Sequence, residues 1–179
     1  MAENEIREGL RKYFKRLDET ERDKSDMYHE VGKAIVNLSV IEEYMAGIFV
    51  TLSGPMKEAE AATLFYESQN IAHKIKLVGY ALMRSGWTKG ASEWPSLSAK
   101  IGKQKFVRNM AAHASLGFTQ TKEAKGWKVM LTNQELDRKH KRTELEITDM
   151  KTAADELDEL RRVMQKFLIR ALRHVGPQA

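Results

Sequence analysis

Between Val31 and Leu52 the apolar residues Val31, Ile35, Leu38, Met45, Phe49 and Leu52 recur at spacings of three and four, and the run stops at Ser53-Gly54-Pro55. That spacing lines one face of an α-helix and does not fit the two-residue alternation of a strand. Ser25 or Asp26 can cap the start of this helix, which predicts a long central element around which the chain packs. One position breaks the apolar pattern. Glu42 falls between Leu38 and Met45 at the same spacing, inside the apolar arc, whereas Glu43 lies outside it. A carboxylate facing a core needs a partner or a route to water, and Arg108 is the candidate partner.

The same periodicity places four more helices. Ile6, Leu10, Tyr13 and Leu17 define a first helix over residues 2 to about 17, separated from the central one by the polar run Asp18 to Lys24. Ala61, Leu64, Ile71, Ile75, Val78 and Leu82 predict a single helix from about Lys57 to Arg84, with His73 pointing away from the stripe as a surface histidine. Ser85 to Gly90 reads as a loop, and Trp94-Pro95 as the opening of a helix that runs to about Ala114. Ala153, Leu157, Leu160, Met164, Leu168, Ala171 and Val175 predict a last helix from about Asp149 to the Gly176-Pro177 stop. Between these last two helices the pattern turns β-like. Leu116 to Thr119 and Trp127 to Thr132 predict a hairpin turning around Glu123 to Gly126, and Thr143 to Thr148 a third short strand.

The expected fold class is therefore all-α: an up-and-down bundle of about five helices, with a small β-hairpin insertion at about 115–148 before the last helix. A chain of 179 residues, 42% of them hydrophobic, can bury one core as a single domain over 1–179. The chain has no cysteine, which excludes a disulfide framework, a thiol nucleophile and a thiolate metal site. The opening residues do not form a secretory signal and no uncharged apolar run spans a bilayer, so the expectation is a cytoplasmic protein without a membrane partner.

Charge is distributed unevenly. Pro95 to Arg142 holds eleven Lys and Arg against three Asp and Glu, or +8, while the whole chain carries +5. Such a positive field suits a polyanionic partner. Inside this segment lies Arg108-Asn109-Met110-Ala111-Ala112-His113. On a helix Asn109 and His113 are neighbours, four residues apart, with Arg108 offset on the apolar side. Histidine titrates near neutrality and can act as base or acid, and guanidinium offers planar, permanently charged donors to phosphate oxygens. An arginine four residues before a histidine is a cheap pattern by itself. A rival exists in Arg22 to His29, which is expected to straddle a polar linker and a helix cap that would not hold both side chains rigidly.

Taken together, the two long helices carrying Val31 to Glu42 and Leu64-Phe65-Tyr66, and the late helix ending in Arg108 to His113, resemble the HEPN superfamily over roughly Ser25 to Val175. Its signature is an arginine, a polar residue and a histidine after four to six residues, which Arg108, Asn109 and His113 match. The resemblance implies a dimeric helical bundle whose motifs meet in one cleft and cut RNA without metal or cofactor, leaving 2′,3′-cyclic phosphate and 5′-hydroxyl ends. His113 would then move the proton of the ribose 2′-hydroxyl or position that hydroxyl. Arg108 would stabilise the transition-state charge, Asn109 would orient His113 or the phosphate, and Glu42 would support them. Lys103, Lys105, Lys139, Lys141 and Arg142 would hold the RNA backbone by charge. A toxin or defence role, with an antitoxin or regulatory protein as a further partner, belongs to the same expectation.

The alternative is a non-catalytic dimeric module that binds RNA or a protein, with Arg108 serving only as the structural partner of Glu42. A metal-dependent bundle enzyme is disfavoured because no Glu-x-x-His pairs stand on facing helices. Nucleotide-binding loops rich in glycine are missing from the sequence.

Overall fold

A computed structural model describes residues 2–104, 106–107, 109–110, 115–120, 127–132 and 144–176. The elements are α1 (Ala2–Leu52), α2 (Glu58–Glu67), α3 (Ile71–Arg84), α4 (Thr88–Lys103), β1 (Ser115–Gln120), β2 (Trp127–Thr132), β3 (Glu144–Glu146) and α5 (Ile147–Val175). Residues 106, 107, 109 and 110 are also helical. The class is all-α, with, among the described residues, five helices of ten residues or more and a small antiparallel sheet before the last, as the sequence pattern implies.

The expected break at Asp18 to Lys24 does not occur: α1 is one helix of 51 residues. The polar run contains neither proline nor glycine, and local pairs hold the helix through and before it: Glu19 pairs with Lys15 and Lys24 with Glu21, the Thr20 hydroxyl donates to the Arg16 carbonyl at 2.8 Å, and upstream Lys12 pairs with Glu8. Such a segment continues a helix without needing a core. At its other end α1 stops where expected. Gly54 adopts φ 69°, a left-handed conformation that costs glycine little, and Ser53 closes the last turn on the carbonyls of Val50 and Phe49.

Two further boundaries differ from the sequence reading. The helix expected over 57–84 is broken at Ser68 to Asn70, where the Asn70 side chain accepts from the Ala72 N–H and caps α3. The break shifts the buried face of α2 to Ala61 and Phe65 and leaves Leu64 exposed. Pro95 does not open a helix; it stands inside α4, which begins at Thr88 in the expected loop. Proline removes one backbone donor, and the neighbouring Trp94 is anchored by its own indole N–H to the Ile75 carbonyl at 3.3 Å.

The chain forms two compact units, each threaded by part of α1 and part of α5. The first comprises residues 1–33 and 109–154. Its sheet runs in the order β1-β2-β3, antiparallel throughout, with Leu116 opposite Leu131 and Leu131 opposite Leu145. Thus both strands of the expected hairpin form, with the expected turn at 123–126 outside the described residues, and the third strand is shorter than expected, Ile147 and Thr148 already belonging to α5. Val129, Met130 and Leu131 of β2 are buried.

The second unit comprises residues 34–108 and 155–179, and its described elements are all helices. Its core joins Phe49 of α1 to Phe65 of α2, ring centroids 6.0 Å apart, and sets Phe167 of α5 against Trp87 and Trp94. Glu93 and Arg170 pair across α4 and α5, as do Gln104 and Glu156, so the two helices run antiparallel. Met45, Phe49 and Leu52 of the expected stripe are buried, but the earlier part of the buried face is turned: Ala34, Asn37, Ile41 and Ile48 also face inward, whereas Ile35 is exposed. Sequence alone could not choose between these arcs because Ile35 and Val36 are as apolar as the residues that go inside. By length and composition one stretch of α1 is apolar enough to cross a membrane. The C-terminal half of α1 also carries Glu42 and Glu43 and supplies buried residues of the second unit.

Candidate functional site

Glu42 does face the interior of the second unit, and its carboxylate is held there by Lys74 of α3. The Lys74 Nζ donates to Glu42 Oε2 at 2.8 Å, with the two side chains 9% and 22% exposed respectively. The ammonium also stands 5.3 Å from the Phe65 ring centroid and 5.9 Å from that of Tyr66, so two aromatic faces share its charge. The break at Ser68 to Asn70 restarts the helix in the register that presents Lys74 to α1. This makes Glu42 part of an interhelical ion pair, a device that fixes how two helices meet. The sequence contained a signal for this partner that the reading above did not use. Lys74 falls between Ile71 and Val78 at the stripe's own spacing, a base out of place in the same way as Glu42 is an acid out of place. The expected partner, Arg108, lies outside the described residues.

His113 lies outside them as well, as do Lys105, Lys139, Lys141 and Arg142. Asn109 is helical and half-buried, and it belongs to the first unit, whereas Glu42 and Lys103 belong to the second. Lys103 is exposed in the last turn of α4. It borders an open cavity of about 300 Å³ shared by Lys100, Gln104, Glu156, Glu159, Leu160 and Val163. The Gln104 amide reaches Glu156 Oε2 at 3.5 Å. Two cations and two carboxylates therefore face this space, which offsets much of the attraction that Lys103 alone would have for a phosphate.

The rival pair Arg22 and His29 is placed otherwise than expected. It does not straddle a linker: both residues are exposed on the continuous α1, seven residues and therefore roughly 10.5 Å apart along one helix face. Rigid placement alone does not distinguish it from the Arg108 motif. What separates the two is the positive segment around Arg108, since Arg22 is flanked by Glu21 and Asp23.

The remaining described histidines have local partners. His73 is exposed, with Nδ1 2.9 Å from the Ser68 hydroxyl. The His174 ring stacks on Trp87 and its Nε2 lies 3.3 Å from the Ser85 carbonyl. The Arg170 guanidinium forms a two-point pair with Glu93, at 2.9 and 2.6 Å, and these hydrogen bonds hold the Glu93 carboxyl below its ordinary value against the opposing effect of burial. Arg161 does the same for Asp158. Among the described residues no three His, Asp or Glu side chains gather into a metal-binding group. No known protein family, curated protein or solved structure matches the chain.

Proposed function

We propose that the chain is a metal-independent endoribonuclease of the HEPN type, a cytoplasmic homodimer that meets RNA through the segment around Arg108. The reading rests on one observation: Arg108, Asn109 and His113 follow one another in that order within a segment of charge +8. The helical state of residues 109 and 110 and the all-α fold with a hairpin before its last helix support it.

In this mechanism His113 accepts the proton of a ribose 2′-hydroxyl as the oxygen attacks the adjacent phosphorus. The bond to the 5′-oxygen breaks, and that oxygen takes up a proton as the second histidine of the dimer supplies it. Arg108 neutralises the charge that builds on the phosphoryl oxygens, and Asn109 orients the histidine or the phosphate. The products are a 2′,3′-cyclic phosphate and a 5′-hydroxyl, with no redox change and no water consumed. Lys105, Lys139, Lys141 and Arg142 hold the backbone, with Lys103 contributing least because Glu156 and Glu159 share its cavity. Glu42 takes no chemical part: it holds Lys74. A toxin or defence role, controlled by an antitoxin or other regulatory protein, fits an enzyme that binds RNA mainly through its backbone.

Incubating the purified protein with mixed RNA in EDTA tests the proposal. Fragments with cyclic-phosphate ends are expected from the parent, and loss of cleavage from folded Arg108→Ala and His113→Ala. Cleavage that survives His113→Ala removes the assignment. Absence of cleavage with RNA or a protein still bound supports instead a non-catalytic binding module.

A further inference from the structure

The cavity bounded by α4 and α5 in the second unit holds opposite charges that do not pair. Lys100 and Lys103 face it from α4, Glu156 and Glu159 from α5, and all four are exposed. Among the described residues no ion pair joins the lysines to the glutamates. Gln104, only 8% exposed, lies at the border, and its amide N–H reaches Glu156 Oε2 at 3.5 Å, so a buried side chain gives this carboxylate a fixed neighbour. Leu160, 5% exposed, and Val163 add apolar surface. At about 300 Å³ the space stands at the lower end of small-ligand sites, suited to a single ring system.

This lining selects against simple ions. A phosphate meets two carboxylates, and a cation meets two lysines. What it suits is a flat group that offers donors and acceptors along its edge. The α4 side of the cavity belongs to the segment of charge +8, and Gln104 precedes Arg108 by four residues, so the two are no more than roughly 14 Å apart whatever path the chain takes.

We propose that this cavity takes a guanine base of the RNA. The proposal rests on the reading of the chain as an enzyme of RNA and adds the base it prefers. Guanine alone among the four bases sets two adjacent N–H groups, at N1 and N2, beside the acceptors O6 and N7. The Glu156 carboxylate accepts from both N–H groups in a two-point pair, Lys100 and Lys103 donate to O6 and N7, and the ring lies on Leu160 and Val163. Adenine, cytosine and uracil each put a lone pair where the second N–H is needed. An acceptor facing an acceptor is left unpaired, and that penalty makes the choice. Lys103 thereby reads a base, which accounts for its small part in holding the backbone.

The test titrates the four ribonucleoside 5′-monophosphates into the full chain, followed by NMR or calorimetry, with circular dichroism to confirm that variants fold. The four share a sugar and a phosphate, so differences between them report the base. Guanosine monophosphate is expected to bind about tenfold more tightly than the other three, and inosine monophosphate, which lacks the N2 amino group, about tenfold more weakly than guanosine monophosphate. Glu156→Gln, which exchanges one acceptor for a donor at an exposed position, is expected to abolish the preference. Equal binding of the four overturns the proposal, as does a guanine preference that survives Glu156→Gln or the lack of saturable binding up to about 10 mM. Titration breaks no bond, so its result is separate from the nuclease reading. RNA cleavage without a guanine preference removes this role of the cavity and leaves the enzyme, whereas a guanine preference without cleavage keeps the cavity as a guanine site and removes the enzyme.

Discussion

The two halves of α1 are one helix made in two ways. From Ala34 to Leu52 the helix is held by what it buries: Ile41, Met45 and Ile48 are almost completely enclosed, and Gly47 lets the Leu168 side chain approach so closely that a Cβ there would lie 3.2 Å from it. From Glu8 to Lys33 most of the described residues are exposed, with pairs three and four residues apart along the helix, while Met27 is fully buried. A helix supported by neighbours can tolerate an acid among its apolar residues if another helix supplies the base. A helix whose described residues carry local pairs can continue through a polar run that holds no core residue.

The largest effect that separates the two regions is truncation of an aromatic on each side. Phe167→Ala, at a fully buried ring packed on Trp87 and Trp94, is expected to cost about 3–5 kcal/mol in denaturant unfolding. Phe14→Ala, at a ring 58% exposed, is expected to shift the monomer by about 0.5 kcal/mol or less. Equal losses at the two sites would erase the distinction.

Next in size is the interhelical ion pair. Lys74→Met keeps much of the packing volume but leaves the Glu42 carboxylate facing a partly buried site alone. Because both partners keep some contact with solvent, the expected loss is about 2 kcal/mol rather than the larger figure for a sealed pair. The double variant Lys74→Met with Glu42→Leu should recover most of it, measured as a double-mutant cycle. A silent Lys74→Met would mean that Glu42 is served by water.

The smallest effect is acid sensitivity. Arg170 lowers the Glu93 carboxyl from its ordinary 4.5, so the unfolded chain binds the proton more readily than the folded one. The pair therefore contributes its full stability above 4.5, and that contribution falls as the pH drops through the depressed value. Both side chains are about one-third exposed, which limits the effect to about 1 kcal/mol. Unfolding midpoints of parent and Glu93→Gln should differ at neutral pH and converge in acid.

Much of this architecture is legible in the residues themselves, for reasons that differ from place to place. The last helix and the hairpin were readable because a 3.6-residue or a two-residue period needs only neighbours in sequence to express it. The stop at Gly54 was readable because few residues but glycine take a positive φ cheaply. Of the candidate site, the motif order and the charge around it come from the chain itself. Asn109 stands in a helix, as that motif requires, and Arg108 and His113 lie outside the described residues.

The sequence by itself determined the hairpin, most of the last helix, the stop of α1 at Gly54, and that Glu42 interrupts an apolar face, but not that α1 runs unbroken through Asp18 to Lys24 or that α4 begins at Thr88. Tertiary structure decided the rest. It turned α1 so that Ala34 and Ile41 went inside and Ile35 stayed out, a choice between two apolar arcs that only neighbouring helices can make. It broke the helix at Ser68 to Asn70 and thereby brought Lys74 to Glu42, thirty-two residues away in sequence. Periodicity is a short-range property, whereas a partner for a half-buried charge is chosen by whichever helix packs against it.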